Sequence, residues 1–192
     1  MFKKKKAISF FSNAGIGDLG IEQAGIDVIY ANELLKDRAN IYKHNHPNTH
    51  VHAGDITQLQ QTDLDLIHQL LDGDECFLLL ATPPCQGFSS ARKRDDFDIR
   101  NQLLKPVMSL IKEFQPKFVL MENVTKFQTG LIPDTDDIVT NHHEHVITSI
   151  DKFMLKRANE MGYHLYMKVI NMQDYGVPQS RKRVFTIFSK EK

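Results

Sequence analysis

The sequence predicts an α/β fold built on a mostly parallel, seven-stranded sheet with helices on both faces. Short apolar runs rich in β-branched and aromatic residues alternate along the chain with amphipathic stretches, a pattern typical of parallel strands joined by crossover helices. The 192 residues are enough for one such domain with a proper core and too few for two comfortable ones. We therefore expect one domain over residues 1–192.

The individual elements follow from hydrophobic periodicity. Strands are predicted at 7–12, 27–32, 50–53, 76–81, 117–121, 165–171 and 183–188. The clearest helix is 101–115, because its apolar residues recur at helical spacing and Pro116 follows its end. Further helices are predicted at 20–25, 35–46, 64–71 and 146–161.

The segment 128–145 is polar and acidic and contains Gly130 and Pro133, so it is predicted to be an inserted, exposed loop. It carries His142, His143 and His145. Their spacing suits neither one face of a helix nor the usual zinc-binding pairs, and we expect no metal site there.

Composition limits the classes of function. Lys plus Arg and Asp plus Glu balance at 24 each, which counts against tight nucleic-acid binding by this chain alone, since phosphate binding favours a basic excess. No apolar run approaches the roughly 18 residues of a membrane span, and the N-terminus does not resemble a signal peptide. The two cysteines imply no disulfide framework. A cytoplasmic protein with no membrane partner is expected.

Acceptor groups and a glycine-rich turn follow the first three predicted strands. The first strand leads into a turn that contains Gly15 and Gly17, which lets the backbone approach a ligand closely, although such a turn alone is weak evidence. Glu33 ends the second strand and can accept hydrogen bonds from ribose hydroxyls. Asp55, after the third, can accept from an adenine amino group, beside the apolar Ile56. Each acid alone is more often a surface charge or a helix cap, but together they predict a nucleoside pocket at this edge of the sheet.

The fourth strand leads into Pro83-Pro84-Cys85-Gln86. Two prolines stiffen this turn and place Cys85 just beyond the strand, where a nucleophile would be presented. The alternative is a buried structural cysteine, an interpretation that fits Cys76 better because Cys76 lies inside an apolar strand.

Three further charged residues are predicted near the same edge. Glu122 ends the fifth strand, next to the strand that precedes Cys85, and a thiol facing a carboxyl group suits attack on a polarised heterocycle. Arg181 and Arg183 begin the last strand, where period-two alternation sends both to one side. A solvated basic turn is the alternative for the two arginines.

In this order, the elements resemble the DNA cytosine-5 methyltransferase family over nearly the whole chain. The resemblance implies a Rossmann-like, S-adenosylmethionine-dependent methyltransferase fold, with S-adenosylhomocysteine as the product of the cofactor. The residues that it assigns to catalysis are Cys85, Glu122, Arg181 and Arg183. Leu103 lies in a segment, Arg100-Asn101-Gln102-Leu103, that resembles the lining of the family's cofactor pocket. The residues that the resemblance assigns to the cofactor are Phe11, Asn13, Gly15, Ile16, Glu33, Leu34, Asp55, Ile56, Pro84 and Leu103.

The resemblance also implies a mechanism. The target cytosine flips out of double-stranded DNA, the Cys85 thiolate attacks C6, and Glu122 hydrogen-bonds the N3 and N4 edge. C5 then accepts the methyl group, and loss of the C5 proton expels Cys85. Arg183 is expected near O2 of the base and Arg181 near the cysteine loop.

Three positions depart from the family pattern. Asn13 replaces the first glycine of the cofactor turn, and asparagine is the residue after glycine that best tolerates a left-handed backbone. Leu34 replaces an aromatic residue, which removes a stacking face for adenine. Thr82 replaces a glycine that precedes the two prolines. Cofactor affinity is the property that these changes affect.

The family's target-recognition domain and last two motifs have no counterpart in these residues. We expect either a split enzyme, whose second subunit supplies them, or a fragment of a longer protein. The closing Lys190-Glu191-Lys192 and the zero net charge favour the split enzyme, and a restriction–modification system is the family's commonest bacterial setting.

Three other functions are alternatives to this one. A tRNA cytosine-5 methyltransferase shares several of these motifs, but Gln86-Gly87-Phe88-Ser89 resembles the DNA-acting branch. A non-catalytic, S-adenosylmethionine-binding regulatory subunit would be free to lose Cys85, which is present. A dinucleotide oxidoreductase has no role for the Pro-Pro-Cys segment.

Overall fold

The computed structural model describes residues 5–84, 98–140 and 145–192. Seven strands form one sheet: β1 (Lys5–Phe10), β2 (Ile26–Glu33), β3 (His50–Ala53), β4 (Cys76–Ala81), β5 (Phe118–Asn123), β8 (His164–Asn171) and β9 (Lys182–Ser189). Their order is β3-β2-β1-β4-β5-β9-β8. The β1–β2, β1–β4 and β2–β3 pairs are parallel, and β8 and β9 are antiparallel. The predicted fold class and all seven predicted strands are confirmed.

The helices of the described residues are α1 (Ile16–Gln23), α2 (Lys36–Asn45), α3 (Gln61–Leu71), α4 (Ile99–Gln102), α5 (Leu104–Phe114) and α6 (Ile150–Glu160). The single helix predicted at 101–115 is wrong, since it is divided at Leu103 into α4 and α5. Pro106 explains the division: it has no N–H to donate to the carbonyl of Gln102, the bond that a continuous helix would need there.

The segment 128–145 also differs from the prediction of an exposed loop. Leu131–Pro133 forms a strand, β6, that pairs antiparallel with β7 (Ile147–Ser149), and Ile132 is fully buried. As a result α6 begins at Ile150 rather than at residue 146. The apolar run in β6 is too short to stand out in sequence from the polar residues around it. His142 and His143 lie outside the described residues.

The chain divides into two compact units, and the first comprises Met1–Thr82 and Phe114–Val119. Its part of the sheet carries helices on both faces. The Lys6 ammonium donates to the carbonyls of Leu70 and Leu71 in α3, whereas the Ser9 hydroxyl donates to Asp18 in α1. Lys6 and Ser9 are an odd number of residues apart on one strand, so α3 and α1 lie on opposite faces.

The second unit comprises Pro83–Glu113 and Leu120–Lys192. Its core contains Val107 and Ile111 from α5, Phe153 from α6 and Phe188 from β9, all essentially inaccessible to solvent. The Tyr163 and Phe188 rings meet edge to face, with centroids 6.2 Å apart.

Across the described ranges, no helix has the length and apolar character needed to cross a membrane, and those ranges hold no cluster of three or more metal-ligating side chains.

Candidate functional site

The turn between β1 and α1, residues 11–15, which we call the cofactor turn, has an unusual backbone. Phe11 and Asn13 both have positive φ angles, 59° and 52°, and Gly15 has φ 85°. Asn13 thus adopts the left-handed backbone that asparagine tolerates best after glycine. A Cβ on Gly15 would lie 2.3 Å from Nε2 of His46, so the backbone packs where no side chain fits. Glycine is therefore required at position 15, because of the positive φ angle and because of the space that His46 occupies.

Glu33, at the end of β2, is bound to this turn. Its Oε2 accepts the N–H of Asn13 at 2.9 Å, and its Oε1 accepts the N–H of Leu35 at 3.0 Å. Glu33 is buried, but each carboxylate oxygen has a second lone pair. The carboxylate can therefore hold the turn and still accept hydrogen bonds from two hydroxyl groups of a ligand.

Exposed apolar side chains lie on the segments that carry these acceptors. Ile16 is 81% exposed and Leu34 is 61% exposed. Asp55 is exposed, and its Oδ1 accepts both the N–H and the hydroxyl of Thr57 at 2.9 Å. Ile56 is buried, so it offers a ligand less surface than expected. Carboxylate acceptors, exposed apolar groups and a close-packed glycine turn together fit a nucleoside cofactor.

A buried network that the sequence did not reveal supports the cofactor turn. Asp18 in α1 is 1% exposed; its Oδ1 accepts the Ser9 hydroxyl at 2.9 Å, and its Oδ2 accepts the Tyr42 hydroxyl at 2.6 Å. Burial raises the pKa of Asp18. In sequence Asp18 resembles an ordinary acid in the first turn of a helix, which gives no sign of this role.

In the second unit, Glu122 on β5 and Arg183 on β9 form an ion pair. Nε of Arg183 lies 2.9 Å from Oε1 of Glu122, and both side chains are partly exposed. The structure thus joins two residues that the resemblance assigns to the target base. Arg181 is exposed and precedes β9, which begins at Lys182. The expectation that Arg181 and Arg183 lie on one side of the sheet therefore stays a prediction.

Asn123, next to Glu122, holds the segment that leads to Cys85. It is buried, and its Nδ2 donates to the carbonyl of Pro83 at 2.8 Å, while its Oδ1 accepts the N–H of Val124 at 2.8 Å. Pro84 is half-buried and is followed by Cys85, which lies outside the described residues. The predicted proximity of Cys85 to Glu122 therefore stays a prediction, although β4 and β5 are neighbours in the sheet.

Lys105 in α5 is a second feature that sequence reasoning missed. It is 1% exposed, and Nζ donates to Oε1 of Gln102, to the Thr135 hydroxyl and to the carbonyl of Asp137. Burial lowers its pKa to about 8. Leu103, assigned to the cofactor, lies between α4 and α5 in this second unit and is partly buried. The network fixes residues 135–137 to the helix that follows Leu103.

Comparison with known families identifies the chain. The family described as C-5 cytosine-specific DNA methylase matches residues 5–192. The chain belongs to this family. The family predicted from sequence is therefore confirmed, and the oxidoreductase alternative is excluded.

Among curated relatives, this chain is similar to the Type II methyltransferase M1.HgaI of Avibacterium volantium, with 34% identity over all of the chain and 52% of that protein. It is 34% identical to the Type II methyltransferase M.AquIA of Picosynechococcus sp. over 96% of the chain and 71% of that protein. A solved structure, described as a DNA modification methyltransferase encoded within a prophage (E. coli), superposes with a TM-score of 0.70 at 27% identity, covering 97% of the chain and 47% of that structure. The chain spans about half the length of M1.HgaI and of the E. coli protein.

Proposed function

We propose that this methylase chain transfers a methyl group from S-adenosylmethionine to C5 of cytosine in double-stranded DNA, within a restriction–modification system in the cytoplasm. The observation that carries the proposal is the Glu122–Arg183 ion pair, at 2.9 Å on partly exposed side chains. A carboxylate and a guanidinium side by side match the hydrogen-bonding edge of cytosine, which presents an amino donor and carbonyl acceptor.

The cofactor is assigned to the edge formed by β1, β2 and β3. Glu33 receives the ribose hydroxyls, Asp55 the adenine amino group, and Ile16 and Leu34 cover the apolar faces. Phe11, Asn13, Gly15, Ile56, Pro84 and Leu103 complete the set that the family resemblance assigns. When bound there, S-adenosylmethionine supplies the electrophilic methyl group.

In the proposed chemistry, the Cys85 thiolate adds to C6 of the flipped cytosine and raises the electron density at C5. Glu122, protonated when the base is bound, donates to N3 and accepts from the N4 amino group, and so stabilises the negative charge that develops on the ring. Arg183 binds O2, and Arg181 supports the cysteine segment. After C5 is methylated, the C5 proton leaves to a base, the electron pair re-forms the ring double bond, and the C6–S bond breaks to release the thiolate.

Target recognition is proposed to come from a second subunit. The chain covers 71% of M.AquIA but 52% of M1.HgaI in alignments of similar length, 185 and 198 residues. M.AquIA is therefore the shorter protein of the two, which supports the idea that members of this family differ in how much of the enzyme one chain carries. The balanced charge of this chain also suits a partner that supplies basic DNA-binding surface.

A methyl-transfer assay tests the proposal. The chain is incubated with labelled S-adenosylmethionine and either duplex DNA or tRNA, with and without the protein encoded by the adjacent gene. We expect 5-methylcytosine in DNA only, and only with that protein present. Transfer to tRNA alone would establish the RNA-directed alternative. Transfer to DNA by the chain alone would remove the need for a partner.

The two cysteines provide a matched control. We expect Cys85→Ala to abolish transfer and Cys76→Ala to retain it, because Cys76 is buried in β4. Equal activity of both variants would contradict the assignment of the nucleophile.

A further inference from the structure

Thr82 follows β4, at a position where the family pattern has glycine. It forms hydrogen bonds with the backbone at the end of β1. Its hydroxyl donates to the carbonyl of Phe11 at 3.0 Å, and its N–H donates to the carbonyl of Phe10 at 3.3 Å. One residue thus binds two consecutive carbonyls at the start of the cofactor turn. A glycine at position 82 could form only the second of these bonds.

The Phe11 carbonyl belongs to a residue in a costly conformation. Phe11 has φ 59°, and positive φ is a genuine outlier for a bulky side chain, because its Cβ crowds the backbone. Such a conformation persists only where surrounding contacts fix it. Within the described part of the chain, the Thr82 hydroxyl is the group seen to bind this carbonyl.

Other bonds hold the remainder of the turn. The Asn13 N–H is bound by Glu33, and the carbonyls of Ala14 and Gly15 contact the side chains of Asn45 and His46 at 3.1 and 3.0 Å. None of these bonds acts on Phe11 itself. The peptide group between Phe11 and Ser12 is held on both sides: its N–H, that of Ser12, donates to the carbonyl of Asn32 at 3.0 Å, and its carbonyl accepts from the Thr82 hydroxyl. Thr82 supplies the side-chain bond of the two.

We propose that Thr82 is a positioning residue, whose hydroxyl holds Phe11 in the left-handed conformation and so keeps the cofactor turn in its binding shape. The hydroxyl compensates in this chain for the two non-glycine residues with positive φ in the turn, Phe11 and Asn13. The effect on the turn is independent of the proposed function, and the effect on cofactor affinity rests on it.

Hydrogen exchange on the full 192-residue chain tests the effect on the turn. Thr82→Val has nearly the same shape without the hydroxyl, and Thr82→Ser keeps the hydroxyl. We expect the amides of residues 13–15 to exchange about fivefold faster in Thr82→Val, the size of one lost hydrogen bond, and at the wild-type rate in Thr82→Ser. The control is Thr129→Val, which removes a hydroxyl bonded to the Lys126 carbonyl in another turn and is expected to leave residues 13–15 unchanged.

Calorimetric binding of S-adenosylhomocysteine then tests the consequence. We expect about fivefold weaker binding for Thr82→Val and wild-type affinity for Thr82→Ser. Unchanged exchange at residues 13–15 in Thr82→Val, with circular dichroism showing a folded chain, would overturn the proposal. Faster exchange together with a wild-type chain that binds no S-adenosylhomocysteine, either alone or with the protein encoded by the adjacent gene, would support the role of Thr82 in the turn and overturn the cofactor assignment. If Thr82→Val does not fold, Thr82→Ala is measured in its place, with the same expectations.

Discussion

The two candidate binding regions hold their functional carboxylates in different ways. Glu33, at the cofactor turn, is buried and is bound by backbone N–H groups on both oxygens. Glu122, on β5, is partly exposed and is bound by the side chain of Arg183. A backbone donor cannot leave without deforming the turn, whereas a side-chain partner can rotate away. The comparison indicates that the first region is fixed before its ligand arrives and that the second can exchange its internal ion pair for contacts with a base.

The largest effect is expected from Glu122→Gln. The amide keeps the shape of the side chain but has no acidic proton to give to N3 as negative charge develops on the ring, so kcat for methyl transfer falls by about 10²- to 10³-fold. Glu33→Gln is the matched change in the other region, and it mainly raises KM for S-adenosylmethionine, by roughly tenfold. Steady-state kinetics of both variants, under conditions where the wild type is active, measure this division. A loss of kcat in Glu33→Gln equal to that in Glu122→Gln would remove the distinction between the two regions.

Asp18→Ala is expected to have the next largest effect. It leaves the hydroxyls of Ser9 and Tyr42 without their buried acceptor, which lowers the free energy of unfolding by about 2 kcal/mol. Urea unfolding followed by circular dichroism gives this quantity. The control is Asp65→Ala on the exposed surface of α3, which is expected to change stability by less than about 0.5 kcal/mol. A loss for Asp18→Ala as small as that of the control would show that the Asp18 network does not contribute to the stability of the chain.

The sequence alone predicts features that depend on many consecutive residues, and it does not predict those that depend on one residue or on pairing between distant segments. The segment 76–81 is an uninterrupted apolar run and was predicted with the observed bounds of β4, and the order of motifs was enough to predict the family. The division of α4 from α5 depends on one missing N–H at Pro106, and β6 depends on pairing with β7. The Glu122–Arg183 pair requires β5 to lie beside β9, a neighbour relation between strands far apart in sequence.

Lys105 gives a smaller, pH-dependent effect in the second unit. Burial lowers its pKa in the folded chain to about 8, from 10.5, so above pH 8 the unfolded chain binds more protons at this group than the folded one. The free energy of unfolding should therefore gain about 1 kcal/mol from this group between pH 8 and pH 9. The free energy of unfolding is measured for the wild type and for Lys105→Met at pH 8 and at pH 9. The gain is the increase in the difference between the two proteins over that range. A difference that stays constant with pH would contradict the lowered pKa.

An effect of similar size is expected at Asn13, in the cofactor turn. Asn13→Ala loses the bond from the Ala14 N–H to Oδ1 and places an alanine at positive φ, which lowers the free energy of unfolding by about 1 kcal/mol. Asn13→Gly accommodates the backbone and should remain within about 0.5 kcal/mol of the wild type. Thermal unfolding of the two variants distinguishes them. If both lose stability equally, the asparagine side chain rather than the backbone conformation is the important feature.

Covalent trapping at Cys85 tests the central claim most directly. The chain is incubated with S-adenosylmethionine, the adjacent-gene protein and duplex DNA that carries 5-fluorocytosine, which cannot lose its C5 substituent as a proton, so the enzyme remains attached at C6. We expect a peptide containing Cys85 bound to the modified base, found by mass spectrometry and absent in Cys85→Ala. An adduct on Cys76, or no adduct when the protein, DNA and cofactor are shown to be bound together, would contradict it.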